Sequence, residues 1–282
     1  MIRLAEAEWR EREAEHERRA DDLTAGWRSR AHAGAGGGRL THPVEDFLHT
    51  YYPYRPALLR RWHPGSDVVL AGDGRRDAKW YVEHDGGWRV DTAAFAERHR
   101  AAVGWTRGLL ERTASRQPNL GCFGMHEWAM VYRADETRHE VPLRLGGDGT
   151  DRVVEGHRIS CSHFDAFRFF TPEAVDRNHL QPTRETQAQL EQPGCLHAGM
   201  DLYKWAAKLG PLLPGELLLD TFELARDIRV LDMRASPYDL ADHGYEPVPV
   251  ETAEGKAEYG RQQRLFADRG ADIRRRILDA LP

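Results

Sequence analysis

Apolar positions are sparse across residues 3–31, chiefly Leu4, Trp9, Leu23 and Trp27, in a stretch dense with charge of both signs. That pattern predicts a long amphipathic helix packed through a thin stripe. "AGAGGG" at 33–38 ends it and reads as a flexible joint. The expected organisation is an N-terminal helical arm over 1–32, a glycine-rich joint over 33–41 and a main globular domain over 42–282. The main body opens with "HPVEDFLHTYYPYRPALLRRWHPG" (42–65), which four prolines break into short pieces. "DVVLAG" (67–72) and "AKWYVEHDGGWRVD" (78–91) predict strands, the second turning back at "HDGG". Thr92 is the expected cap of a helix running to about Ser115, with Phe95, Val103, Leu109 and Leu110 on its buried side.

Beyond that, "EVPLRLG" (140–146) and "DRVVEGHRISCSHFDAFRFF" (151–170) alternate as extended segments do. "TPEAV" (171–175) places a capping threonine before a proline at the first helical position. Helices are expected over 183–192, 196–209 and 214–227, a turn at "PYDL" (237–240), and a terminal helix or helix pair over 252–281 interrupted near Gly270. The fold class this predicts is α+β: a helix-rich single globular domain with a small central sheet and the helical arm.

Composition narrows the function classes. The chain has 282 residues, 40% hydrophobic and 30% charged, which allows a sizeable core. No apolar run approaches the roughly 18 residues a membrane span needs, and the charged N-terminus has no apolar signal region. The expectation is a cytoplasmic protein without a membrane partner. Three cysteines are too few for a disulfide framework at this length. A net charge of -5 argues against a surface that coats nucleic acid broadly, yet leaves room for a local basic groove at Arg60–Arg61, Arg75–Arg76 or Arg274–Arg276. No phosphate loop, dinucleotide fingerprint or nucleophile elbow is present.

Candidate chemistry gathers in three similar stretches. Cys122 and His126 are four apart, one helical turn, with Glu127 adjacent. Cys161, His163 and Asp165 alternate, so a strand would put them on one face. Cys195 precedes His197, and His197, Asp201 and Lys204 share a helix face. Imidazole, carboxylate and thiolate suit zinc or iron, and a set drawn from His126, His163 and His197 with Asp165 or Asp201 would leave positions open for water or substrate. Buried thiols beside hydrogen-bonded histidines account for the same pattern. "FLHTYYPYRP" (47–56), "HEWAMVY" (126–132) and "FDAFRFF" (164–170) supply aromatic faces or plain core. Asp201, Asp220, Glu223, Asp232 and Asp239 are the carboxylates of an otherwise apolar C-terminal half, and "LDMRASPYDL" (231–240) is a run whose polar groups need partners, in ion pairs or in a site.

"HPVEDFLHTYYPYRPALLRRWHPG", "NLGCFGMHEWAMVYR", "SHFDAFRFFTP", "EQPGCLHAGMDLYKWAAKL" and "LDMRASPYDL" together resemble an actinobacterial protein family usually labelled 3-methyladenine DNA glycosylase. The resemblance covers residues 42 to about 270. It implies a DNA-repair hydrolase that removes alkylated purines, with DNA in a local basic groove. Tyr51, Tyr52, Tyr54, Trp128 and Phe167 would then stack the base. Arg55, Arg60 and Arg61 would meet phosphates, and Lys204 would join the binding set. Asp201, Asp165 or Glu127 would serve as general base or charge stabiliser. The alternative is a metal-dependent enzyme, non-haem iron or zinc, acting on a small molecule through His126, His163 and His197 with Asp165 or Asp201. A binding module without catalysis is the third reading.

Overall fold

The computed structural model describes residues 1–33 and 42–282. Of the glycine-rich joint expected over 33–41, residues 34–41 lie outside the described residues and Ala33 is the last residue of a helix. The fold is α+β and helix-rich, with a small mixed four-stranded sheet. Its contacts divide it into two compact units: residues 1–111, 201–225 and 272–282 form the first, and residues 112–200 and 226–271 the second.

The first unit holds the sheet. Strand β1 (Ile2–Leu4) pairs in parallel with β2 (Val68–Ala71). β2 then pairs antiparallel with β4 (Gly87–Val90), and β4 with β3 (Tyr81–His84), giving the order β1-β2-β4-β3. The expected hairpin is therefore present, with Asp85 and Gly86 both at positive φ in its turn. Gly87 is needed where it stands, because a Cβ there would lie 2.6 Å from the Leu70 carbonyl oxygen. Helix α1 (Glu6–Ala33) is built into this unit and is not an arm. Trp9 is buried and donates its indole N–H to the Ala71 carbonyl at 2.9 Å. Arg19 meets Asp220 and Glu223, and Arg30 meets Asp46 and Glu45. Short helices α2 (Phe47–Tyr51) and α3 (Pro56–Leu59) follow, the proline of α3 opening its first turn.

The helix expected over 92–115 is two helices, α4 (Thr92–Arg98) and α5 (Arg100–Ala114). Its cap is Asp91, whose carboxylate accepts from the Ala94 N–H at 2.9 Å, so Thr92 is already inside. Past α5 the extended segments expected over 140–170 are largely helix and loop. α6 (Met125–Ala129) and α7 (Gly146–Glu155) are followed by α8 (Phe164–Phe167) and α9 (Pro172–Val175). Only isolated bridges remain, Leu143 with Tyr238 and Ile159 with Asn178. α10 (Gln187–Leu190) is shorter than expected, α11 (Leu196–Leu209) has the expected limits, and α12 (Gly215–Arg234) runs a further two turns. α13 (Ala253–Ala280) is unbroken, with Gly270 buried in mid-helix. Among the described residues no helix is long and apolar enough to cross a membrane.

Candidate metal centre

The stretch that opens the site, Gly121–Trp128, is shaped by two consecutive left-handed residues, Phe123 at φ 48° and Gly124 at φ 71°. They turn the chain so that α6 begins inside the second unit, with His126, Glu127 and Trp128 all buried. At Gly124 a side chain would press on Tyr259 at 3.3 Å and Ala235 at 3.4 Å. Glycine therefore serves both the conformation and the close approach.

His126 faces α12. Its Nε2 lies 2.9 Å from Asp232 Oδ1, and Cys122 Sγ sits 3.7 Å from its Nδ1. The His197 ring, from the first turn of α11, stands edge-on to His126 with centroids 4.4 Å apart. One ligand atom each from His126, His197 and Asp232 all lie within 4.8 Å of one another. Two ligands with bonds of about 2.1 Å at tetrahedral or octahedral angles sit about 3.0 to 3.4 Å apart, and opposite ligands about 4.2 Å apart. The trio therefore needs only small side-chain adjustment to hold one ion. His197, at 9% exposure, is the member nearest solvent, and half-buried Cys122 and Cys195 precede their histidines in sequence by about a turn or less.

The surroundings are charged and sealed. Arg229, 2% exposed, ties Glu127 through Nη1 at 2.9 Å and lies 3.5 Å from Asp232 Oδ2. Its Nη2 is 3.4 Å from His139 Nε2. Asp232 is fully buried, yet neither of its oxygens makes a hydrogen bond of good geometry, nor does His126 Nε2. Burial alone would lower the His126 pKa, but the Asp232 carboxylate and the Cys122 contact hold it well above its ordinary value. Burial would likewise raise Asp232, and the His126 charge, with His197 and Arg229, holds it below the ordinary carboxylate range. Burial raises Glu127 despite Arg229 beside it. Burial, then the proximity of Cys122 and Cys195, pushes the Cys161 thiol well up. Burial also lowers His139, to about 4, with Arg229 and Arg138 contributing.

Of the three histidines singled out in the sequence, His126 and His197 belong to this trio, and His163 contacts His197 but stands outside it. His163 stacks on His197 with centroids 5.3 Å apart and turns Nε2 toward Glu191 Oε2 at 3.8 Å. Glu191 in turn accepts from Gln187 Nε2 at 3.0 Å. The carboxylate that completes the trio is Asp232 rather than Asp165. Asp165 is taken by Arg184 at 2.9 Å and Arg168 at 3.3 Å. The Trp128 faces are covered, for the side chain is fully buried and its indole N–H is bound to the Ala235 carbonyl at 2.9 Å. Phe167 is half-buried against Phe170 at 5.0 Å.

The remaining candidates lie in the first unit. Asp201 is buried and accepts from the Tyr52 hydroxyl at 2.9 Å and from Lys204. Tyr52 meets Tyr203 edge-on at 5.5 Å, and so does Tyr54 at 5.7 Å. Tyr51 stacks on Phe47 at 5.0 Å, and Arg55 is exposed at the start of α3. Arg229 had not been expected at any site. Its signal was an arginine three residues before an aspartate on a helix whose flanking Ile228, Leu231 and Met233 are core residues.

What fold and site define is a helix-rich α+β chain with a buried histidine–carboxylate centre. Comparison of the chain with protein-family models, with curated proteins and with solved structures finds no match.

Proposed function

We propose that the chain is a metal-dependent enzyme whose divalent transition metal is held by His126, His197 and Asp232. Two imidazoles and one carboxylate suit zinc, iron(II) or manganese, and three protein ligands leave positions for water and substrate. The observation that carries the reading is Asp232: a carboxylate with no exposed surface and no well-formed hydrogen bond on either oxygen. Such a group costs several kcal/mol unless positive charge answers it; in the metal-free protein the His126 ring at 2.9 Å and Arg229 at 3.5 Å supply that charge, and a bound cation would take the place of the His126 proton. A bound cation is a partner of the right charge and place. Cys122 beside His126 Nδ1 then orients that ring. Glu127, its pKa raised by burial, is the nearby group able to carry a proton, and Arg229 fixes its position. The test is metal analysis of untagged protein, wild type against His126→Ala, His197→Ala and Asp232→Asn. About one zinc, iron or manganese per chain is expected, and less than a tenth of that in each variant. A wild type free of all three metals after growth and dialysis in their presence overturns the reading.

A second reading, removal of alkylated purines from DNA, rests on the family resemblance and on Asp201. A buried carboxylate held by a tyrosine hydroxyl and a lysine, beside edge-on tyrosine rings, is a chemically apt group for stabilising a sugar cation. Release of free base from methylated DNA, abolished by Asp201→Asn, is its expected signature. No release by wild-type protein ends it.

A further inference from the structure

The first unit contains a cavity of about 690 Å³ whose lining includes neither the proposed metal ligands nor Asp201. Five basic and two acidic side chains line it, in a chain whose net charge is -5. Arg75 pairs with Glu13 and Arg60 with Glu17 at 3.0 Å, which consumes both acids. Arg61 and Lys79 are left as excess positive charge of the lining. Among the described residues neither Arg61 nor Lys79 has a carboxylate partner. The local sign is thus opposite to that of the whole molecule, which concentrates an anion there.

The same cavity is walled by rings. Trp80 meets Phe95 edge-on at 5.2 Å and His99 at 5.6 Å. Across the sequence from these, His63 stacks on Tyr81 at 6.0 Å and its Nδ1 bonds the Tyr81 hydroxyl at 3.0 Å. Lys79 lies over the Trp80 ring at 5.0 Å, putting a cation and a flat face side by side. Trp80 is held at φ 71°, a left-handed conformation that is costly for a large side chain. Strain of that kind persists where the surroundings fix it, and it clusters at ligand sites. Volume, ring walls and a few convergent charges are the attributes of a small-molecule site.

We infer that this cavity binds a small ligand made of a planar heteroaromatic ring and a phosphate, the chemistry of a nucleoside monophosphate. The ring packs on Trp80, and Arg61 and Lys79 take the phosphate. The proposal is independent of the metal centre, since none of its residues belongs to the second unit.

Equilibrium dialysis of the full chain against 5′-AMP, 5′-CMP, adenosine and orthophosphate tests it. At least one nucleotide should bind with a dissociation constant below about 1 mM, and at least about tenfold tighter than both adenosine and orthophosphate. Arg61→Ala and Lys79→Ala should each weaken that nucleotide about five- to tenfold and reduce its salt dependence. Trp80→Gly places in the left-handed position the one residue that adopts it freely, so the fold survives while the ring is lost; binding should fall about tenfold with the melting temperature held. Three results overturn the inference: no nucleotide retained at 5 mM (about the upper limit of useful affinity), orthophosphate bound as tightly as the nucleotides, or a folded Trp80→Gly variant that binds like wild type.

Discussion

Replacing Asp232 by Asn keeps the shape of the side chain and removes only its charge, which makes the metal centre open to a quantitative test. In the metal-free protein the carboxylate lies 2.9 Å from His126 Nε2 and 3.5 Å from Arg229 Nη1. At an effective permittivity of about 20, these separations correspond to attractions of about 6 and about 5 kcal/mol with full charges. Desolvation of a fully buried carboxylate offsets most of that, and His126 can shed its proton when the partner goes. A net loss of about 2 to 4 kcal/mol is expected, at or below the usual cost of breaking a buried pair. At about 2 to 4 °C per kcal/mol for a chain of this size, that lowers the melting temperature by roughly 4 to 16 °C. Metal adds a separate effect. A cation present at about a hundred times its dissociation constant stabilises the folded state by about 2.7 kcal/mol, a rise of roughly 5 to 11 °C. The assay is differential scanning fluorimetry of wild type, Asp232→Asn and Glu127→Gln, in chelator and then in zinc, manganese or iron(II). Wild type and Glu127→Gln should rise with metal and Asp232→Asn should not. An equal rise in Asp232→Asn would place the metal elsewhere and refute the assignment.

Burial, with Arg75 and Arg61 adding to it, lowers His63 from 6.5 to about 4, so the folded protein resists a proton that the unfolded chain accepts. Stability should therefore be whole above pH 6.5 and fall as pH drops toward 4, by at most about 3 kcal/mol from this group; urea titrations of His63→Gln should show a shallower decline, and identical pH profiles would refute it. Asn178 accepts from the Cys161 N–H at 2.8 Å and donates to the carbonyls of Cys161 and Leu180 at 2.9 and 2.6 Å. Asn178→Ala should cost about 2 to 4 kcal/mol in chemical denaturation, and a loss under about 1 kcal/mol would mean the clamp is dispensable. Gly255→Ala should destabilise despite better helix propensity, because its Cβ would fall 2.0 Å from the Pro249 carbonyl oxygen, whereas Gly104→Ala meets nothing within 4 Å and should gain about 0.5 to 1 kcal/mol; matching signs for the two would sink the steric argument.

How much of this fold was legible depends on whether a segment's partners are local. α11 was readable to its limits because its amphipathic period lies within it. β1 was not, because three residues reading "IRL" become a strand only by pairing with Val68–Leu70, far along the chain. The apparent strands of 151–170 failed for a related reason. Val153 and Val154 carry β-branched side chains, yet they sit in a helix that ends at Gly156. The segment after it is held by the Asn178 side chain in place of a neighbouring strand. Gly270 misled in the other direction, since a single glycine costs a helix only about 1 kcal/mol and a long packed helix absorbs it.

The site was legible as residue types but not as a constellation. Spacing within each Cys/His stretch singled out His126, His163 and His197 but left open whether they meet; the trio takes His126 and His197 and leaves His163 beside it. Spacing could not choose their carboxylate, because the nearest acid in sequence is the one whose partners are also nearest. Asp165 is answered by Arg168 one turn on and by Arg184, and Asp201 by Lys204 three residues on. Asp232 has Arg229 on its own helix, but that guanidinium is committed to Glu127 at 2.9 Å and stands off Asp232 at 3.5 Å. The acid left without local satisfaction is the one available to a distant histidine or to a cation. For a buried charged cluster the useful question of a sequence is therefore which acid has its one-turn basic neighbour shared with a second acid, more than which acid lies beside the histidine.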